Sequence, residues 1–158
     1  MKGIPTLYNG IQFRSRLEAK WAAFFDLLAY DWEYEPFDLN GWIPDFIIIP
    51  SFFRNWELKP LELLAEVKPF SDFTEFTSTT QKIMNSLKEE KYRAFILLGY
   101  KLNFSKDIPD LGWLVQKDHN ALFGWKKSSA QVYSSPRKLQ LLWKEAANKV
   151  QWKGKENG

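Results

Sequence analysis

Cysteine is absent from this 158-residue chain, and histidine occurs once, as His119. The first absence excludes disulfides and thiolate metal sites. The second leaves any Ser-His mechanism hanging on one residue of the polar stretch QKDHNAL, where a turn without a chemical role is the simpler expectation. Long apolar runs are missing too. None approaches the roughly 20 residues that span a bilayer, so no membrane partner is expected, and the N-terminus lacks a signal-peptide pattern. Neither a Walker loop nor a dinucleotide-type glycine loop is present. These absences point to an intracellular, cytoplasmic chain. If it is an enzyme, carboxylates and lysines are left to do the work.

What is abundant is aromatic side chain: 17% of residues, with 8 Trp and 13 Phe, in a chain that is 45% hydrophobic. That supplies a ring-packed core for one domain spanning 1–158. Charge is uneven. Residues 126–158 hold eight Lys and Arg against two acids, a net of +6, whereas residues 1–125 carry a net of −3. A basic end on a mildly acidic body suggests a polyanionic partner; the plain alternative is a solvated lysine tail.

Along the chain, SRLEAKWAAFFDLLA (15–29) reads as an amphipathic helix, with Leu17, Trp21, Phe24, Phe25 and Leu28 on one face and Ser15 and Glu18 at capping-box spacing. DWEYEPF (31–37) alternates like a strand with one wet face, and WIPDFIII (42–49) reads as a second strand after the Asn40-Gly41 turn. LELLAEVK (61–68) reads as a third, with Leu63, Ala65 and Val67 on one side and Leu64, Glu66 and Lys68 on the other. Residues 72–92 contain a helix, and RAFILLGY (93–100) reads as a buried, parallel strand. LGWLV (111–115) and ALFGW (121–125) make a hairpin, and SSPRKLQLLWKEAANKVQW a basic helix capped by Ser135, before a frayed KGKENG. Short links make the first three strands antiparallel neighbours, and strand–helix–strand between 61 and 100 makes a parallel pair. A mixed α/β sheet with helices packed on it is expected.

Two triplets stand out, Glu57-Leu58-Lys59 and Glu66-Val67-Lys68, each followed by proline. On a strand the acid and the lysine of such a triplet share a face. Alternation does not choose between them.

The order Glu18 on a first helix, Pro44-Asp45 on a second strand and Glu66-Val67-Lys68 on a third resembles the PD-(D/E)XK nuclease superfamily. RSRLEAKWAAFFDLL, WEYEP, IPDFII and AEVKP carry the likeness, which covers roughly residues 11–100. It looks most similar to small stand-alone members of phage type, which would act in a host cytoplasm. The resemblance implies a restriction-endonuclease-like αβββαβ core, with the hairpin and basic helix (about 111–150) added. It implies Mg²⁺, with Mn²⁺ as substitute, and hydrolysis of DNA to 5′-phosphate and 3′-hydroxyl ends. Such a core needs a helix and a buried strand after the catalytic strand. Lys68 is followed by both, Lys59 by another strand, and Glu66 has the apolar approach LLA. Glu66 and Lys68 are therefore preferred, with Glu57 and Lys59 in a solvated connection.

In that reading Asp45, Glu66 and the Val67 backbone carbonyl hold the metal, and Glu18 joins them directly or through water, since it lies about 20° around the helix from Phe25. Hard Mg²⁺ prefers carboxylate oxygens and keeps several waters. Lys68 orients the attacking water and stabilises the transition state. Candidate nucleic-acid contacts are Arg14 and Arg16 beside the first helix, Gln81 and Lys82 on the second, and Lys138, Lys144 and Lys149 on the last. The Gln-x-x-x-Tyr element of some relatives is absent, since Asn85 stands at the tyrosine position. Rivals are a junction resolvase of the same superfamily acting as a homodimer, a non-catalytic nucleic-acid-binding module, and a structural domain in which the triplets are coincidence.

Overall fold

The structure is a computed structural model describing residues 3–50, 62–69, 77–87, 92, 94–105, 108–116, 120–124 and 136–151. Glu57, Lys59, His119, Ser135 and the lysines Lys126, Lys127, Lys153 and Lys155 lie outside the described residues, as does the KGKENG terminus.

The order of elements is β1 (Thr6–Tyr8), β2 (Ile11–Phe13), α1 (Arg16–Leu27), β3 (Asp31–Tyr34), β4 (Phe46–Ile49), β5 (Leu63–Val67), α2 (Thr77–Ser86), β6 (Ala94–Leu98), β7 (Asn103–Ser105), β8 (Ile108–Gln116), β9 (Asn120–Gly124) and α3 (Pro136–Lys149). β1 and β2 form a separate hairpin, and the other strands form a seven-stranded mixed sheet. β3–β4 and β4–β5 pair antiparallel and β5–β6 parallel, the arrangement expected from the sequence. The expected hairpin is β8–β9, with β8 longer than its apolar stretch because it also pairs β6 and β7. Gly112 sits at the irregularity in that pairing. A Cβ there would lie 2.1 Å from the Leu97 carbonyl oxygen, so only glycine lets β8 approach β6 this closely. The β1–β2 hairpin was not expected; it turns through Asn9 and Gly10, both with positive φ (50° and 79°), the chemistry of a tight hairpin turn.

Helix α1 begins as its sequence suggests, with Ser15 Oγ accepting from the Glu18 backbone N–H at 3.1 Å. It ends earlier than the apolar periodicity, because Ala29 adopts a left-handed φ of 59° and the Tyr30 N–H turns back onto the Phe25 carbonyl at 2.9 Å. Burial extends around most of the helix, Ala19, Ala22 and Ala23 included. The reason is α3, which stacks on α1 from outside. The Trp143 ring lies 4.5 Å from Trp21 and 5.2 Å from Phe24, with Lys20 Nζ 3.9 Å from its centroid. Burial lowers the Lys20 pKa.

Two cores lie on opposite faces of the sheet. One joins α1 and α3 to Phe46, Ile48, Leu63, Ala65, Val67, Ile96 and Leu98. The other joins Leu39, Ile83 and Leu87 to Leu64, Phe95 and Leu97. The alternation read in LELLAEVK is thus the observed one. Phe46 is fully buried among Phe13, Phe25, Trp32 and Tyr34; cutting such a ring back to alanine typically costs ~3–5 kcal/mol. Among the described residues no helix is long and apolar enough to cross a membrane.

Candidate functional site

The sheet register decides where the acids fall. Phe46 pairs with Ala65 across β4 and β5, so Asp45, one residue before β4, comes level with Glu66 near the end of β5. Glu66 alternates with Ala65 and so shares the face of Leu64, under the smaller core. Asp45 Oδ2 accepts the Val67 backbone N–H at 2.7 Å, taking the place of a ladder acceptor where β4 has not yet begun. Its own carbonyl accepts from Glu35 N at 2.8 Å. The backbone of Asp45 is thus tied to the end of β3 and its carboxyl group to β5.

Glu66 is 6% exposed. The Trp42 indole N–H donates to its Oε2 at 2.6 Å, and Lys68 Nζ stands 3.4 Å from its Oε1. Burial pushes Glu66 up from the usual carboxylate range, against the pull of the Lys68 ammonium and of hydrogen bonds with Trp42 and Asp45. Asp45 is pushed up to about 8, first by burial and then by the negative charges of Glu66 and Glu18; its bond from Val67 and the Lys68 charge only partly offset this. Near neutral pH the two carboxyls thus hold a proton between them. That is how like acids behave when no cation separates them.

Glu18 is also buried, at 8% exposure, but it is satisfied differently. Ser15 Oγ donates to its Oε1 at 3.0 Å and the Tyr34 hydroxyl to its Oε2 at 2.5 Å. Burial and the bond to Glu18 raise the Tyr34 pKa, so the phenol keeps its proton. Glu18 is near enough to Asp45 to raise its pKa, yet its oxygens are already taken. Among the described residues no group of three or more His, Cys, Asp or Glu is arranged to hold a metal ion. The carboxyls that meet directly are two.

No family model matches this chain, and no curated protein or solved structure matches it either.

Of the residues singled out in the sequence, Asp45, Glu66, Val67 and Lys68 come together at one end of the sheet. Arg14 and Arg16 stand nearby at the start of α1. Arg14 Nε pairs with Glu35 at 2.8 Å while its side chain stays 70% exposed, and its backbone N–H donates to the Tyr34 hydroxyl at 3.3 Å. Arg16 Nε is buried without a hydrogen-bond partner among the described residues. Gln81 and Lys82 are both exposed on α2, and Gln81 turns away from the sheet. Ile83 faces the sheet, which puts Gln81 about 200° around the helix; it is exposed and donates to Asn85 Oδ1 at 3.1 Å instead. Lys138, Lys144 and Lys149 are exposed on α3, whose buried residues join the core on the sheet face away from Glu66.

Trp42 and Tyr34 were missed as site residues. Each reads in the sequence as an aromatic of a strand pattern. Only the fold shows that the polar atom of each ends on a buried acid. Trp42 gets there because the Leu39–Trp42 turn is held by mutual backbone bonds of 2.7 and 3.1 Å, and by Asn40 Nδ2 donating to the Ser86 carbonyl of α2 at 3.2 Å.

Proposed function

We propose that this chain is a Mg²⁺-dependent nuclease with a restriction-endonuclease-like core, hydrolysing phosphodiester bonds in DNA. The observation that carries the reading is the meeting of Asp45 and Glu66 from adjacent strands, both buried, with the Lys68 ammonium on Glu66. Two carboxyls pressed together with a raised pKa form an oxygen pair that a hard divalent cation would relieve. Mg²⁺ commonly takes only one or two protein carboxylates and fills its shell with water, so the pair fits it, and Mn²⁺ would substitute. When bound, the ion supplies charge neutralisation at the phosphate and a nucleophile at neutral pH.

The chain's own groups do the rest. Asp45 is held by the Val67 N–H and Glu66 by the Trp42 indole, so neither acid swings away when the other ionises. Lys68 is 35% exposed, buried enough to be oriented by Glu66 and open enough to face a phosphate. Its ammonium suits the charge that grows on the phosphoryl oxygens in the transition state. Trp42, packed on Phe95 at 5.6 Å, is a positioning residue for Glu66.

The test is cleavage of circular single-stranded and duplex DNA with Mg²⁺ or Mn²⁺. Asp45→Asn and Lys68→Ala should each lose activity on the order of 10³-fold while remaining folded by circular dichroism. Mn²⁺ binding without cleavage by the wild-type protein would overturn the reading.

A further inference from the structure

Glu18 and Glu66 are buried, at 8% and 6% exposure, and Asp45 is half-buried. The negative charge of Glu18 is felt at Asp45, so the three carboxyls share one field. Their oxygens are not equally open to a cation. Both oxygens of Glu18 are occupied, Oε1 by Ser15 Oγ at 3.0 Å and Oε2 by the Tyr34 hydroxyl at 2.5 Å.

These two donors differ in kind. Ser15 is the cap of α1, and its oxygen also accepts the Glu18 N–H at 3.1 Å. Such a bond is local to the helix start. Tyr34 reaches Glu18 from β3, and nothing in the capping of α1 calls for it. Its ring is wedged between Phe13 and Phe46, whose centroids lie 4.4 and 5.4 Å away. Its hydroxyl accepts the Arg14 N–H at 3.3 Å and gives its own proton to Glu18. Arg14 Nε pairs with Glu35 at 2.8 Å, which staples the start of α1 to the end of β3 a second time. Tyr34 lies opposite Phe46 across β3 and β4, and the next residue, Glu35, donates its N–H to the Asp45 carbonyl at 2.8 Å. The ring packs with Phe46 on the α1 core, whereas Glu66 shares the face of Leu64. Tyr34 thus ties Glu18 to the α1 face, one strand from Asp45.

We propose that Tyr34 is a positioning residue that keeps Glu18 out of the cation's shell, so that the ion is held by Asp45 and Glu66 while Glu18 lends only its charge. This rests on the nuclease reading for the presence of a divalent cation, and deepens it by assigning what limits the ligand set. A carboxylate whose oxygens are already hydrogen-bonded within the protein gains little by exchanging those bonds for an ion. Removing the phenol hydroxyl takes away one of the two bonds and leaves a buried oxygen that a cation would satisfy. The affinity of a carboxylate site rises with the number of charged ligands.

The experiment is a titration of the full chain with Mn²⁺ in the absence of DNA, with free Mn²⁺ read by electron paramagnetic resonance. Tyr34→Phe keeps the ring between Phe13 and Phe46, and circular dichroism checks that the variant is folded. It should bind Mn²⁺ about 10-fold more tightly than the wild type. In a Glu18→Gln background the same change should leave the affinity within about 3-fold. A Tyr34→Phe variant with unchanged or weaker binding, or a gain that survives Glu18→Gln, would overturn the proposal. A crystal structure of the wild type with Mn²⁺ located by its anomalous scattering tests it without any variant. The Tyr34 hydroxyl should still stand on Glu18, and an Mn²⁺–Glu18 oxygen bond would overturn the proposal. Cleavage is read separately. A wild type that cuts DNA with Glu18 bound to the ion sinks this proposal alone. A wild type that binds Mn²⁺ with Glu18 still on Tyr34, and never cuts, sinks only the nuclease reading.

Discussion

Two buried acid sites lie close together at one end of this sheet and are built on opposite principles. Glu18, on the helix side, has each carboxylate oxygen fed by a hydroxyl, Ser15 on one and Tyr34 on the other. Asp45 and Glu66, level across β4 and β5, face one another, Asp45 with a donor from Val67 and Glu66 with the Trp42 indole on one oxygen and the Lys68 ammonium 3.4 Å from the other. The first site is complete within the protein. The second has one ammonium, Lys68, for two carboxyls, and a proton or a further cation is needed to balance the rest. Burial alone does not mark a carboxylate as chemical; what matters is whether the fold has already satisfied its ionised form.

The largest expected effect separates the two sites by activity. Lys68→Ala removes the cation beside the unsatisfied pair and should cost on the order of 10³-fold in cleavage rate. Glu18→Gln touches an acid that acts through its neighbours and should cost about 10- to 100-fold. Equal losses in a single-turnover assay would break the comparison and make Glu18 a full member of the metal site.

The second effect is on stability against pH. Asp45 binds its proton up to about pH 8 in the folded chain, and only to about 4 when unfolded. Between these values the folded state holds the extra proton. Stability is therefore fully present below about pH 4 and lost as pH rises towards 8. In EDTA the melting temperature should fall over that window by about 3 °C or more, since ~1 kcal/mol moves Tm by that amount in a chain of this size. Asp45→Asn should flatten the slope, and Mg²⁺ should restore stability at the alkaline end. A slope that survives Asp45→Asn would place the titration elsewhere.

The smallest effect belongs to the satisfied acid. Ser15→Ala removes both the helix cap and one hydroxyl from Glu18, and should lower stability by ~1 kcal/mol in urea unfolding without altering the pH slope. A changed slope would mean that the two sites titrate as one.

Much of the frame was legible beforehand. AEVKP reads as a strand with Glu66 facing opposite Ala65 and Val67, as the register and the two cores have it, because alternation in a strand buried on both faces is a local property. Ser15 was legible as a cap for the same reason. The β1–β2 hairpin escaped notice despite its Asn9-Gly10 turn, since three-residue strands are too short to show a period. Strand β4 came out shorter than WIPDFIII suggests, because Trp42 is committed to the Leu39 turn and Glu35, at φ 47°, bends the partner strand away. The α3 lysines read in the sequence as contacts to a nucleic-acid backbone, with no position relative to the acids. The stacking of Trp143 on Trp21 sets α3 over the sheet face away from Glu66.

The sequence by itself determined the capped first helix, the main strands around the acids and which residues of β5 face each way, because those depend on neighbours a few positions apart. Only the tertiary structure decided that Asp45 stands level with Glu66, and that Trp42 donates to one acid and Tyr34 to another. Those are consequences of register and crossover between segments tens of residues apart, where local pattern carries no information about distance.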